Sequence, residues 1–325
     1  MPELIRISVD GMGGDFAPQS VVSGSVQAVS EFDVHVILVG IESQLKAELA
    51  KHSIPANRIE VVDASEVVAM DEAPITAVRR KKNSSLRVAV DLASAGKAHG
   101  IISAGNTGAM YATVKFMVGS LPGVDRLPLA ALFPHPMGKS IVLDVGANVD
   151  CKPQHLLEFA LMGSVYAEEI LNIPSPKVGL LSIGEEEAKG NDLTKETFRL
   201  LKTSDIQFIG NIDGHDVFKG VADVVVCDGF VGNVALKVSE SLVETIFHLL
   251  QPEMEQHPQI AGLLTKYFDY SEHGGAPLLG ARVPSFVCHG RSSPKAIKNA
   301  IRVALEFCRN NVNERIHKKI AKIIA

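Results

Sequence analysis

Short apolar runs, rich in β-branched residues, alternate along this chain with longer stretches of helical periodicity. The runs at 4–9 (LIRISV), 34–39, 59–62, 100–103, 140–145, 177–182, 206–209, 223–227 and 285–288 predict strands. Most lack polar alternation, as strands covered on both faces do. Helices are predicted near 18–30, 42–51, 84–95, 107–118, 153–171, 193–201 and 294–310. Pro18, Pro153 and Pro294 stand where a first helical turn accepts proline. Strand, helix, strand in this order predicts an α/β fold, a mainly parallel sheet with helices on both faces and right-handed crossovers. Residues 1–325 are read as one such domain, with "SLPGVDRLP" (120–128) a candidate hinge between lobes.

Residues 238–270 break the rhythm. Leu242, Ile246, Leu249 and Leu250 make one apolar stripe, and Ile260, Leu264, Tyr267 and Phe268 make another after "QPEMEQHP". The pattern predicts a projecting helical hairpin that packs on the body or on a second subunit. A shallow membrane contact is the alternative, although Lys266 alone supplies positive charge there.

Six loops of one kind follow the strands. "ISVD" runs into "GMGGD", "GII" into "SAGNTGA", "IVLDV" into "GANVD", "VGLLSI" into "GEEEAKGND", "VVVCD" into "GFVGN" and "FVC" into "HGRSS". In a parallel sheet such loops gather at the carboxyl ends of the strands, where ligands of open α/β sheets bind. Helix N-termini arriving there offer unpaired N–H groups to an anion, and glycine lets the anion approach the backbone. Asn106, Asn148, Asn191 and Asn233 recur in this setting. Each alone reads as a helix cap or turn residue. Together they point to a polar pocket for a phosphate-bearing ligand.

Composition narrows the setting. The chain has 325 residues, 46% hydrophobic, and a net charge of −5, which argues against nucleic acid as a partner. No apolar run approaches the roughly 20 residues of a spanning helix. The N-terminus enters a strand without a signal-peptide layout, and the four cysteines form no CxxC pair, so a reducing cytoplasm is expected. "GMGGDF" is not GxGxxG, no GK[ST] follows any of these glycine loops, and no GxSxG is present. Nucleotide-fingerprint, Walker and serine-hydrolase chemistries therefore lack their central features. Asp10, Asp15, Asp144 and Asp150 are expected to orient loop amides rather than bind metal, and activity without metal or cofactor is the expectation.

"DGMGGDFAP", "RRKKNSS", "SAGNTGA", "LDVGANVDCKP", "GEEEAKGNDLTK", "CDGFVGNVALK", "GGAPLLG" and "HGRSS" resemble, in order, the motifs of the bacterial phosphate acyltransferases of phospholipid synthesis. The match spans nearly the whole chain. Gly11 stands where that family usually has alanine, and His273 where an aromatic is common. The resemblance implies conversion of fatty acyl-carrier protein and inorganic phosphate into acyl phosphate and free carrier protein. It also implies a homodimer, an isocitrate/isopropylmalate-dehydrogenase-like fold shared with phosphotransacetylases, and a downstream membrane acyltransferase that acylates glycerol 3-phosphate.

Attack of phosphate on a thioester needs positioning and charge stabilisation more than a strong base, because phosphate is already an anion and a thiolate leaves readily. Lys189 and Asn233, carried over from "KGN" and "GFVGN", are the expected catalytic pair. The plainer reading of Lys189 is a surface partner of Glu185–Glu187. Gly13, Gly14, Asp15, Ser103, Asn106, Thr107, Asn148, Asn191, His289 and Ser292 are expected to contact phosphate or substrate, with His289 a candidate proton donor. Cys151 and Cys227 read as packing residues rather than acyl-enzyme nucleophiles. Arg79, Arg80, Lys81 and Lys82 form a basic run suited to an acidic carrier protein, and the apolar hairpin is a candidate lining for the fatty chain. The rival readings are a phosphotransacetylase acting on acyl-coenzyme A, an NAD-dependent dehydrogenase and a non-catalytic membrane scaffold.

Overall fold

The computed structural model describes residues 4–257, 259, 262, 268, 271 and 274–324. They form two compact units, Met1–Leu127 with Ser271–Ala325, and Pro128–Tyr270. The boundary falls inside the 120–128 stretch. The first unit holds β1 (Arg6–Asp10), β2 (His35–Gly40), β3 (Ile59–Asp63) and β4 (Gly100–Ser103). The second holds β5 (Ala130–His135), β6 (Gly138–Leu143), β7 (Lys177–Leu181), β8 (Gln207–Ile212) and β9 (Val224–Val226). The chain then returns to the first unit for β10 (Ala276–Pro277) and β11 (Ser285–Val287).

The first sheet has six strands in the order β10-β11-β4-β1-β2-β3, parallel except for β10. Its register pairs Val9 with Leu38 on one side and with Ile102 on the other. Consecutive residues of β2 and β4 are buried, and neighbouring side chains on a strand point to opposite faces, so both faces are covered. The covering helices are α1 (Gln19–Glu31), α2 (Glu42–Leu49), α3 (Pro74–Arg80), α4 (Ser85–Ser94) and α5 (Thr107–Thr113), which runs on into a π turn at Val114–Val118. Ile7, Ile101 and Phe286 are fully buried in this core.

The second sheet has five strands in the order β5-β6-β9-β7-β8, with β5 antiparallel to β6. Its helices are α6 (Pro153–Glu169), α7 (Asp192–Lys202) and α8 (Gly229–Gln256). Gly163 lets α6 press onto the sheet, since a Cβ there would overlap Leu143 Cδ1 and stand 2.6 Å from Val224 Cγ1. Back in the first unit, α9 (Pro294–Arg309) and α10 (Val312–Ile324) complete the described chain. Phe307 of α9 meets Phe286 edge to face at 5.6 Å.

The α/β class and the parallel strands agree with the periodicity, but one sheet becomes two. Strand patterns report which faces are covered and carry no record of which strand is the neighbour, so the division is invisible in them. The six glycine loops accordingly form two trios. Those after β1, β4 and β11 sit on three adjacent strands of the first sheet, and those after β6, β9 and β7 on three adjacent strands of the second. The first apolar stripe of the expected hairpin lies on α8. Ile260, Leu264, Lys266 and Tyr267 of the second stripe lie outside the described residues, as does His273. No helix among the described residues is long and apolar enough to cross a membrane.

Candidate active site

Asp10 ends β1 buried, where its Oδ1 accepts the Met12 N–H at 3.2 Å and its Oδ2 the Ser103 hydroxyl at 2.7 Å. Ser103 Oγ in turn accepts the Gly105 N–H at 3.1 Å. Burial pushes the Asp10 carboxyl above the ordinary aspartate value, against the hydrogen bonds that favour its charge. Gly13 is required by this packing: a Cβ would stand 2.6 Å from Asp10 Oδ2 and 2.7 Å from the Gly105 nitrogen. Gly14 has a φ of 103°, and the next N–H, of Asp15, donates to Gly290 O at 2.8 Å. The first, second and sixth loops thus touch one another.

Within this trio Ser103 and Asn106 are engaged internally. Asn106 Oδ1 caps α5 by accepting the Ala109 N–H at 3.0 Å. Its Nδ2 lies 3.3, 3.0 and 2.9 Å from the carbonyls of Ala69, Met70 and Glu72. Asp15, Thr107 and His289 are exposed, and the Arg291 N–H donates to His289 Nδ1 at 3.1 Å. That bond places the proton of a neutral His289 ring on Nε2. Ser292 is buried, and its hydroxyl has no hydrogen-bond partner among the described residues.

In the second unit Asp144 plays the part of Asp10. Its Oδ1 accepts from the N–H groups of Leu129, Gly146 and Ala147 at 2.9, 3.2 and 3.1 Å. Its Oδ2 accepts from Asn148 N at 2.7 Å and Asn148 Nδ2 at 2.8 Å. Burial outweighs these bonds and raises its carboxyl pKa as well. Orienting loop amides is therefore what both buried acids do. Asn148 belongs to that internal network, and its carbonyl accepts the Gly229 N–H at 2.8 Å. Asn191 Oδ1 caps α7, accepting from Thr194 N at 2.9 Å.

Asn233 and Lys189 differ from these. Asn233 is the fifth residue of α8, is exposed, and its amide makes no hydrogen bond with a described residue. Gly146 keeps the space beside it open, since a Cβ there would come 3.2 Å from Asn233 Oδ1. Lys189 is exposed, and the stem of its side chain lies over Gly184, with Cγ 3.3 Å from where a Cβ would stand. The surface pairing with Glu185–Glu187 is not formed: Glu187 bonds Lys202 at 3.0 Å instead. Of the four loop asparagines, three hold the scaffold and one is free to meet a ligand.

The basic run divides in the same way. Arg79, Arg80 and Lys82 are exposed, whereas Lys81 Nζ is engaged by Glu72 Oε2 at 2.6 Å and Val67 O at 2.7 Å. Cys227 is buried, its thiol pushed far up by burial, and Cys288 is pushed up to about 12. Neither is a thiolate near neutral pH. Asp228 was missed from sequence. Its Oδ1 accepts from Phe230 N and Val231 N, both at 2.9 Å, and so starts α8 and sets Asn233 on the first turns. An Asp immediately before a helical period was the available signal.

Fold and loops together define an α/β protein with glycine-rich loops at the carboxyl ends of parallel strands. Residues 5–315 match the model of the family described as fatty acid synthesis protein. The chain is 51% identical to the phosphate acyltransferase of Geobacter sp. (strain M21), over 97% of this chain and 93% of that one. It is 48% identical to the phosphate acyltransferase of Thermodesulfovibrio yellowstonii, over 98% and 94%. The chain belongs to this family, among the bacterial phosphate acyltransferases, and is a transferase enzyme. Its fold is similar to that of a phosphotransacetylase from Streptococcus pyogenes, with a TM-score of 0.66 at 17% identity over 95% of each chain. It is also similar to that of a 4-hydroxythreonine-4-phosphate dehydrogenase from Klebsiella pneumoniae, with a TM-score of 0.53 at 14% identity, over 94% of this chain and 100% of that one. At these identities the likeness is one of fold alone.

Proposed function

We propose that the protein transfers a fatty acyl group from acyl-carrier protein to inorganic phosphate, giving acyl phosphate and free carrier protein. The observation that carries this reading is the pair Lys189 and Asn233, exposed and unengaged on loops whose other asparagines are tied into the scaffold. A phosphate oxygen attacks the thioester carbonyl, a C–O bond forms, and the tetrahedral intermediate collapses with loss of the C–S electron pair to the thiolate. Lys189 balances the charge of phosphate and intermediate, and the Asn233 amide donates to the oxyanion.

The rest of the reading follows the same family. Arg79, Arg80 and Lys82 meet the acidic carrier protein, and the exposed apolar stripe of α8 contacts a second copy of the chain in a homodimer. The finer fold is that of the isocitrate/isopropylmalate dehydrogenases, with 238–270 as the hairpin. The enzyme works in the cytoplasm, touching the inner face of the plasma membrane, and hands acyl phosphate to a membrane glycerol-3-phosphate acyltransferase. The test is incubation of purified protein with palmitoyl-carrier protein and labelled phosphate. A hydroxylamine-labile labelled acyl phosphate is expected, and its formation from palmitoyl-coenzyme A but not from the carrier thioester would replace this reading with phosphotransacetylase activity.

A further inference from the structure

Between β3 and α4 the chain takes a long route. Residues 64–84 form a strap held against the loops of the first unit. Asn106 holds its carbonyls at Ala69, Met70 and Glu72. Pro74 Cγ sits 2.7 Å, and Met70 Cε 2.9 Å, from where Cβ atoms on Gly108 and Gly290 would stand, so the strap lies directly against both glycines. The Lys81–Glu72 pair closes it.

Despite these anchors, large apolar side chains stay in water beside the polar loops. Met70 is 46% exposed and Ile75 57%, and Phe16, next to Asp15, is 54% exposed. Asp15 and Met70 both approach Gly290. Exposed large hydrophobics gathered at the rim of a polar site mark a binding surface rather than scatter. One turn beyond Ile75 on α3 stand the exposed Arg79 and Arg80. The strap therefore presents apolar surface and positive charge in succession. A fatty chain joined by a thioester to an acidic protein has the same succession of properties.

We propose that Met70, Ile75 and Phe16 are the contact surface for the fatty chain. The strap, rather than the 238–270 hairpin, then sets chain-length preference. The inference rests on the acyl-transfer reading above for its substrate and on the strap for its location.

Two measurements test it. The first compares kcat/KM for palmitoyl- and butyryl-carrier protein in wild type and in the double variant Met70→Gln, Ile75→Gln. A fall of threefold or more in the palmitoyl-to-butyryl ratio is expected, and a smaller change overturns the proposal. The second titrates 16-doxyl-stearate into protein with 13C-labelled methionine methyls, the Met70 signal being assigned through Met70→Leu. Met70 is expected to broaden at lower probe concentration than Met137, which is 76% exposed in the second unit. Equal broadening, or Met137 first, also overturns it. Should wild-type protein turn over neither thioester, the acyl-transfer reading fails by itself and the methyl order decides this one.

Discussion

At the scale of residues, what separates scaffold from chemistry is whether a polar group already has its partners. Asn106, Asn148 and Asn191 share their residue type and loop setting with Asn233, yet each has its amide engaged within its own loop or cap. Replacing Asn233 by Ala should lower kcat by about a hundredfold, the usual cost of removing one oxyanion donor, with the melting temperature unchanged. Lys189→Ala should raise the KM for phosphate and lower kcat, read in the same steady-state assay. Asp144 belongs to the opposite class. Asp144→Asn puts an amide donor among five N–H groups and should cost about 2 kcal/mol or more in denaturant unfolding. Because burial raises the Asp144 pKa, the folded state binds its proton more tightly than the unfolded chain does. Its contribution to stability is full below the ordinary value of 3.8 and falls as pH rises through the folded value, so that slope should be shallower in the variant.

Among the elements, α3 and the strap leading to it place structural contacts and the proposed carrier-protein contacts within a few residues. Lys81 holds the strap through Glu72, while Arg79 and Arg80 lie exposed at the helix end. Charge reversal at Arg79 and Arg80 should raise the KM for the carrier thioester about tenfold at low ionic strength. The effect should shrink towards nothing at about 0.5 M salt, where the Debye length falls below about 5 Å. Activity with acyl-coenzyme A serves as the control, since the acidic protein is then missing. An unchanged KM and unchanged salt dependence would assign those arginines to solvent alone.

Over the whole molecule, the long helix α8 leaves a row of large apolar side chains in water. Val234, Val238, Leu242 and Leu249 are 49%, 62%, 58% and 70% exposed along one stripe. A stripe of that length is what a subunit interface leaves uncovered in a separated chain. Wild-type protein should sediment as a dimer at micromolar concentration, and Leu242→Glu should shift it towards monomer. A monomeric wild type would remove the interface from the proposal.

The α/β class, the parallel strands, most helix positions and the membership of the six loops follow from sequence, because burial on both faces and capping leave local patterns. β5 escaped, since Pro134 interrupts its run and its antiparallel pairing on the sheet edge has no local mark. Helix α10 is not among the predicted elements, although its apolar residues Val312, Ile316 and Ile320 are helically spaced. Tertiary structure decided that the loops divide three and three between two sheets, and which asparagine is free. The first depends on strand neighbours far away in the chain, which a local pattern cannot name. The second depends on side-chain bonds whose formation the pattern does not record, some local, as from Asn148 to Asp144, and some distant, as from Asn106 to the Met70 carbonyl.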